Sequence, residues 1–431
     1  MPSTVVLGTG IIGLSTAYAL ALLTRDTDPA HAIHLVEPSP QLFASASGKA
    51  AGFLAKDWFG PAIAPLAALS FDLHRALAAQ HNGRDRWGWS ESVSYSLDRD
   101  AASAPPAHTV DVPGSEAAGI SGRNGGGAEG GVDWILTGES RATVLGGTEQ
   151  EAAAPLGAAA GPAWLRANIG ALQAISGRQS TGQVHPLRLC EFLLEQCTAL
   201  GVSLHHPARA TALIPGAAPA LCLELLGRAP GTRTVPCDSL VLAAGCWTPH
   251  AYRTLFPHAR RVPRVAPLAG HSVVLRSARW QPAAGAPCAA VFTSDSPGFS
   301  PEVFSRAGGD VWLGGLNSAA VPLPALPTDA VVEPESVARL VGVAQALCGD
   351  DVEVLREGVC FRPVSSTGRP MIVRVPGADL GEGAEGVRVF LATAHGPWGI
   401  SLSLGTGRVV AEMVLGREPS ADVSALASWY D

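Results

Sequence analysis

The order of apolar and polar residues in the first 37 positions is typical of a strand, a turn, a helix and a second strand. A short apolar run, Val5 to Leu7, predicts a buried strand. Four residues then recur at helical spacing: Leu14, Ala17, Tyr18 and Leu20. A second apolar run, Ile33 to Val36, ends at Glu37. The pattern therefore predicts a β-α-β unit with a glycine-rich turn.

This turn, Gly8-Thr9-Gly10-Ile11-Ile12-Gly13, has the features of a dinucleotide site. Gly8 permits a tight bend, Gly10 lets the backbone approach a pyrophosphate, and Gly13 lets helix and strand pack closely. The N–H groups and the dipole at the helix start favour a phosphate. Glu37, 24 residues after Gly13, is placed to accept hydrogen bonds from a ribose diol. A glycine-rich turn without a nucleotide is the alternative.

Further helices and strands follow from the same periodicities. Helices are predicted at 61–80, 187–200, 331–347 and 403–415. Strands are predicted at 202–205, 220–226, 239–243, 359–362, 371–375 and 387–392. Between them, short alternating strands without intervening helices predict an antiparallel sheet in a second domain: 271–275, 289–293, 302–305 and 311–313. Residues 101–131 are rich in Ala, Gly, Ser and Pro and predict a surface excursion, partly disordered.

Charge, the length of the apolar stretches and cysteine spacing argue against nucleic-acid-binding, membrane-spanning and metal-binding proteins. The chain of 431 residues is long enough for two domains. Its net charge of −7 argues against a nucleic-acid partner, and no apolar stretch reaches the roughly 18 residues that span a bilayer. The first strand begins almost at once, so we expect no signal peptide and a soluble, cytoplasmic protein. Eight cysteines include no CxxC pair and no zinc-like spacing, so no metal site is expected.

A second glycine-rich segment follows the first unit: Ser45-Ala46-Ser47-Gly48-Lys49-Ala50-Ala51-Gly52-Phe53. Side chains this small suit a backbone pressed against a ligand, although a flexible linker is the alternative. Lys49 and Lys56 are the chain's only lysines, and both lie close to the nucleotide motif.

Four stretches together resemble the D-amino-acid-oxidase-like superfamily of FAD-dependent amine oxidases, which includes glycine oxidase and sarcosine oxidase. They are the opening motif with Glu37, the Ser45–Phe53 segment, Leu240-Val241-Leu242-Ala243-Ala244-Gly245-Cys246-Trp247, and a closing pair. The closing pair is Val359-Cys360-Phe361-Arg362-Pro363 with Gly368 to Ile372, followed by His395-Gly396-Pro397-Trp398-Gly399-Ile400. The sequence most closely resembles poorly characterised fungal-type oxidoreductases.

The resemblance implies an α/β fold with a Rossmann-like FAD-binding domain, built on a parallel sheet, and a substrate domain with an antiparallel sheet. The FAD-binding domain would contain residues 1–80, 165–265 and 355–431, and the substrate domain 81–164 and 266–354. The segment from Ala243 to Trp247 would pass near the adenosine and diphosphate. Backbone N–H groups in the turn from His395 to Ile400 would stabilise the negative charge of a reduced flavin.

Individual residues gain roles from the same resemblance. Arg362 would bind a substrate carboxylate, with a structural ion pair as the alternative. Cys360 occupies the position where the sarcosine-oxidase branch attaches its flavin, but we expect non-covalent FAD. Lys49 would supply the cation that helps oxygen accept an electron, with a solvated surface lysine as the alternative. Trp398 would face the flavin.

Other candidates are weaker. Trp58, Trp247 and Phe361 are as compatible with an ordinary core as with a substrate pocket. His395 is expected to be structural, since the transfer of a hydride from a neutral amine needs no strong base. Glu302 and Arg306 belong to the antiparallel sheet and have no assigned position.

The leading hypothesis is an oxidase in which an amine or amino acid transfers a hydride to flavin N5 and oxygen is then reduced to hydrogen peroxide. A flavin dehydrogenase that uses another electron acceptor is the second hypothesis. A nucleotide-binding protein without turnover is the third. No nucleic-acid or membrane partner is expected, and the substrate and the oligomeric state stay open.

Overall fold

The computed structural model describes residues 1–99, 140, 161–294 and 299–430. The predicted excursion at 101–131 lies outside the described residues. The strands, in chain order, are β1 Ser3–Leu7, β2 Ala32–Val36, β3 Phe53–Ala55, β4 Ser90–Asp98, β5 Ala171–Ser176, β6 Thr181–Gln183, β7 Ser203–His205, β8 Ala208–Ile214, β9 Ala220–Leu225, β10 Gly231–Pro236, β11 Ser239–Leu242, β12 Ala266–Arg276, β13 Cys288–Ser294, β14 Glu302–Ser305, β15 Asp310–Ser318, β16 Glu353–Val364, β17 Met371–Arg374 and β18 Arg388–Thr393.

The α-helices connect these strands. They are α1 Ile11–Thr24, α2 Ala46–Lys49, α3 Ala64–Gln80, α4 Gly83–Trp87, α5 Pro186–Ala199, α6 Thr248–Leu255, α7 Pro334–Cys348, α8 Gly377–Leu380 and α9 Gly399–Val414. Short 3₁₀ turns at Gly245–Trp247 and Gly396–Trp398 precede α6 and α9.

The first sheet has six strands in the order β17-β18-β11-β1-β2-β7. All pairs are parallel except β17 with β18. The central strand β1 is buried along its whole length, and its side chains alternate between two cores. Val6 packs with α1, α5 and α9 on one face, whereas Val5 and Leu7 pack on the other face. This two-sided burial explains the continuous apolar run in the sequence.

The second large sheet follows the order β16-β12-β15-β14-β13-β4-β6-β3, with β5 paired to β4. Its pairs are antiparallel apart from β4 with β13. A separate three-stranded antiparallel sheet contains β8, β9 and β10. A parallel sheet with helices beside an antiparallel sheet confirms the predicted fold class.

Some element boundaries differ from the predicted ones. The helix expected from Pro61 begins at Ala64, and the last helix begins at Gly399 rather than at residue 403. The predicted strand 359–362 is the end of a longer strand, β16. Strands β3, β6 and β16 belong to the second sheet although they come from segments predicted for the FAD-binding domain. The domain boundaries themselves stay a prediction.

Candidate active site

A cavity of about 670 Å³ lies between the two large sheets. The carboxyl ends of β1, β2 and β11 line one end, and residues of β12, β14, β15 and β16 line the other. Ligands of open parallel sheets bind outside the carboxyl ends of the strands, and this volume lies within the usual range of ligand sites. The structure therefore brings the opening and closing motifs to one cavity.

The glycine-rich turn is packed too tightly for side chains. Gly8 has φ +99°, and a Cβ on it would lie 2.6 Å from the carbonyl oxygen of Ala243. A Cβ on Gly13 would overlap the carbonyl oxygen of Gly8. Gly8 and Gly10 line the cavity, whereas Gly13 lies behind the turn and allows α1 to pack against it. The turn thus presents backbone to the cavity.

Glu37 is held in place by the same turn. Its Oε2 accepts hydrogen bonds from Thr9 N and Thr9 Oγ1, both at 3.0 Å, and its Oε1 accepts one from Ser39 N at 3.1 Å. A carboxylate has about four acceptor positions, so these contacts orient Glu37 and leave acceptor capacity for a ribose diol. The hydroxyl of Ser47 lies at the start of α1, where it accepts a hydrogen bond from Ile11 N at 2.9 Å.

We define the cofactor loop as residues 45–52. Most of this loop lines the cavity, namely Ser45, Ala46, Ser47, Ala50, Ala51 and Gly52, whereas Gly48 and Lys49 do not. Hydrogen bonds from the second sheet hold this loop. Trp312 Nε1 donates to Lys49 O at 3.1 Å, Arg306 Nη2 donates to Ala50 O at 2.9 Å, and Phe361 N donates to Ser45 Oγ at 3.4 Å.

The side chain of Lys49 also attaches the cofactor loop to the second sheet. Its Nζ donates to Val359 O at 3.0 Å, on the free edge of β16. Burial lowers the pKa of the Lys49 ammonium. Lys56, the other lysine, forms an ion pair with Asp72 at 2.9 Å and does not line the cavity either. The structure therefore places both ammonium groups outside the cavity lining, and a role for Lys49 towards oxygen stays a prediction.

The closing turn lies beside the start of α9. Gly396, Pro397, Gly399 and Ile400 line the cavity together with His395. The side chain of Trp398 does not; it packs against Phe59, with ring centroids 4.6 Å apart. Its predicted contact with the flavin stays a prediction. The N-terminus of a 16-residue helix at this place favours negative charge in the cavity.

His395 is buried in this turn. Its Nε2 shares a hydrogen bond with Thr406 Oγ1 at 3.0 Å, and burial lowers the pKa of His395 to about 3. The imidazole is therefore neutral at physiological pH, which fits the structural role expected for it. The preceding residue, Ala394, has φ +60°, in the left-handed region that favours glycine.

Arg362 lines the other end of the cavity, on β16. Its guanidinium crosses Gly270 of the neighbouring strand β12, where any Cβ would collide with it. Its Nη1 then donates a hydrogen bond to Asn317 Oδ1 on β15. Asn317 is neutral, so the charge of Arg362 stays available to an anion while the side chain is fixed. No local pattern in the sequence pointed to Gly270 or Asn317.

The remaining candidates divide between cavity and core. Trp247 and Phe361 line the cavity, and so do Ala243, Ala244 and Gly245. Trp58 is buried in the core and does not line the cavity. Cys360 is 5% exposed and lines the cavity as well. Glu302 lines it, whereas Arg306 is fully enclosed and binds the carbonyls of Ala50 and Ala51.

The residues present fit a bound FAD. A backbone cradle at Gly8 and Gly10, an oriented acid at Glu37 and a helix start at Gly399 line one continuous cavity. Among the described residues, no group of three or more His, Cys, Asp or Glu side chains is placed to hold a metal ion. None of the helices in the described ranges is long and apolar enough to cross a membrane.

Comparisons with known proteins agree with this site. The sequence matches the family of FAD dependent oxidoreductases over residues 3–413. A putative oxidoreductase of Schizosaccharomyces pombe is 26% identical over 98% of this chain and 96% of its own, so the expected fungal-type relatives are confirmed. The fold is similar to that of glycine oxidase from Geobacillus kaustophilus, with a TM-score of 0.67, 21% identity and coverage of 99% and 98% of the two chains. Iminodiacetate oxidase from Chelativorans sp. BNC1 gives a TM-score of 0.66, with 20% identity over 97% of each chain. The chain therefore belongs to the FAD dependent oxidoreductase family, and FAD is its cofactor.

Proposed function

We propose that the protein oxidises the C–N bond of a small amine or amino acid, with oxygen as electron acceptor and hydrogen peroxide as product. Bound FAD supplies the hydride acceptor. The position of Arg362 is the observation that carries the proposal, because a fixed guanidinium without a carboxylate partner among the described residues lies at the end of the cavity away from the nucleotide motif. A planar guanidinium binds a carboxylate with two parallel hydrogen bonds and thereby orients it.

The other residues of this end support the same chemistry. Phe361 and Trp312 give the cavity apolar walls, which exclude water and strengthen the contact between Arg362 and an anion. His395 is neutral and Lys49 lies outside the lining, so neither adds charge there. The chain's task is to bind and orient the substrate, since the transfer of a hydride from a correctly placed neutral amine needs no strong base.

Replacement of Arg362 tests the proposal. Arg362→Ala would leave a carboxylate unpaired, which costs roughly 2–5 kcal/mol, or about 30- to several-thousand-fold in kcat/KM for amino acids. Arg362→Lys keeps the charge but loses the two-pronged contact, so it should also lower kcat/KM. FAD content should be unchanged in both variants. Loss of flavin, or wild-type turnover of a panel of amino acids, would instead make Arg362 structural.

We propose that FAD is held without a covalent bond, although Cys360 lines the cavity. Acid precipitation of the purified protein separates the alternatives, because free FAD enters the supernatant and linked flavin stays in the pellet. A yellow pellet that becomes white in Cys360→Ser would overturn the proposal.

A dehydrogenase is the second candidate, and the position of Lys49 favours it. Its ammonium donates to Val359 O, and Lys49 does not line the cavity that would hold FAD. The cation expected to help oxygen accept an electron is therefore not part of the cavity lining. Peroxide release measured beside reduction of an artificial electron acceptor distinguishes the two. Turnover that continues with the acceptor but stops with oxygen alone would identify a dehydrogenase.

A further inference from the structure

A second cavity, of about 320 Å³, shares no lining residue with the first. It lies between the turn that joins β14 to β15 and the start of α5, with β12 and β16 beside it. The turn contributes Gly308, Gly309 and Asp310, and the helix start contributes His185 and Arg188. Nothing in the proposed oxidation uses this cavity.

Its lining is strongly basic. Four arginines face it, Arg188, Arg276, Arg306 and Arg356, against one carboxylate, Asp310. Two of the arginines are paired: Arg306 with Asp310 at 3.1 Å, and Arg276 with Glu353 at 2.9 Å. The guanidinium groups of Arg188 and Arg356 have no hydrogen bond or ion pair within the part of the chain that the structure describes.

The unpaired charge of Arg356 is costly where it lies, whereas Arg188 is exposed to solvent. Arg356 is half-buried, and burial lowers the pKa of its guanidinium. Burial, together with the nearby charge of Arg306, lowers the pKa of His185 to about 4, so this imidazole is neutral. Because His185 Nδ1 accepts from Arg188 N at 3.4 Å, the ring proton is placed on Nε2, which can donate. Two guanidinium groups without a hydrogen-bonded partner among the described residues and an imidazole donor, in a concave site, have the chemistry of an anion receptor.

We propose that this cavity binds an oxyanion, a phosphate or carboxylate group, between Arg188 and Arg356. Guanidinium groups match the planar or tetrahedral oxygens of such groups with paired hydrogen bonds. The N-terminus of the 14-residue helix α5 adds its dipole on the same side. The volume of about 320 Å³ leaves room for a small molecule that carries the anionic group.

The site also touches the cofactor loop. Arg306 lines the second cavity and donates to Ala50 O and Ala51 O of that loop. An anion bound in the second cavity would therefore lie next to Arg306, one of the residues that hold the cofactor loop by hydrogen bonds. The two cavities share no lining residue, but Arg306 connects them, because it lines the second cavity and binds two residues that line the first.

Binding is tested on the FAD-loaded protein by calorimetry, with inorganic phosphate and with succinate as separate probes. We expect at least one probe to bind, and the stronger of the two identifies the group recognised. Arg356→Gln and Arg188→Gln should each weaken that probe by about tenfold or more. Arg25→Gln is the matched control, because Arg25 is an exposed arginine paired with Asp26. Absence of binding by both probes, or equal weakening in Arg25→Gln, would overturn the proposal.

Thermal unfolding gives a second measurement that does not depend on heat of binding. Without anion, Arg356→Gln should melt at or above the wild-type temperature, because it removes an unpaired, half-buried charge. With about 10 mM of the probe that binds more strongly, the wild type should melt at a higher temperature than Arg356→Gln, since only the wild type gains stability from the ligand. A variant that melts below the wild type in both buffers by the same interval would assign Arg356 to the fold and not to a ligand.

Discussion

The two ends of the main cavity differ in the parts of the chain that form them, backbone at one end and side chains at the other. At the nucleotide end the glycine-rich turn presents backbone, packed so tightly at Gly8 and Gly13 that no side chain fits there. The other end consists of side chains, in which Arg362 crosses Gly270 to reach Asn317. We therefore expect the nucleotide end to lose its function when atoms are added, and the other end when a charge or a hydrogen bond is removed.

The largest effect is expected where atoms are added to the glycine-rich turn at the nucleotide end. Gly13→Val places a branched side chain against the carbonyl of Gly8, which has no room to move. We expect FAD affinity to fall by at least about 100-fold, or about 2.7 kcal/mol. The ratio of flavin to protein absorbance measures it. Gly342→Ala, in α7 with no atom near its Cβ, is the control and should keep FAD and gain up to about 1 kcal/mol of stability.

The two lysines form a matched pair, because Lys49 donates to the second sheet whereas Lys56 is paired with Asp72. Lys49→Met removes a charged hydrogen bond to the edge of β16 and leaves Val359 O without this donor, so we expect a loss of about 1.5–3 kcal/mol in unfolding free energy. Lys56→Met breaks an ion pair that stays partly open to solvent, and it should cost about 1 kcal/mol or less. Denaturant unfolding compares them. Slower reoxidation by oxygen in Lys49→Met, at unchanged stability, would instead assign Lys49 to the oxygen reaction.

A smaller effect is expected at the partner of Arg362. Asn317→Ala frees the guanidinium to move, and we expect kcat/KM for an anionic substrate to fall by about 5- to 30-fold, or about 1–2 kcal/mol, with FAD content unchanged. Asn317→Asp keeps the contact but neutralises the charge of Arg362, so it should lower kcat/KM further. If Asn317→Asp instead matched the wild type, the substrate would not carry a carboxylate.

The smallest effect is expected at Ala394, directly before the closing turn, where the backbone conformation disfavours a side chain. Its φ of +60° suits glycine, so Ala394→Gly should raise the free energy of unfolding by up to about 1 kcal/mol. Ala76→Gly, in the exposed middle of α3, should lower it by about the same amount. Thermal unfolding of the two variants should therefore shift in opposite directions.

The same contrast explains how much could be predicted from the sequence. The glycine-rich turn depends mainly on neighbours along the chain, so the order of strand, glycines, helix and Glu37 was enough to predict it. The contact between Arg362 and Asn317 depends on the register of β12, β15 and β16, which no local pattern reveals. The start of α9 was missed because Gly399 is a poor helix former, and the site, not propensity, determines where this helix begins.

The attachment of the cofactor loop to the second sheet also has a consequence for the kinetics of folding. Residues 45–52 take hydrogen bonds from Gln183, Arg306, Trp312 and Phe361, partners that lie 132 to 316 residues further along the chain. Contacts of such separation form slowly, because a long loop must close before they stabilise anything. The loop therefore reaches its final position only after β16 has been synthesised and paired. We expect FAD to join a nearly complete chain after translation rather than a nascent one on the ribosome.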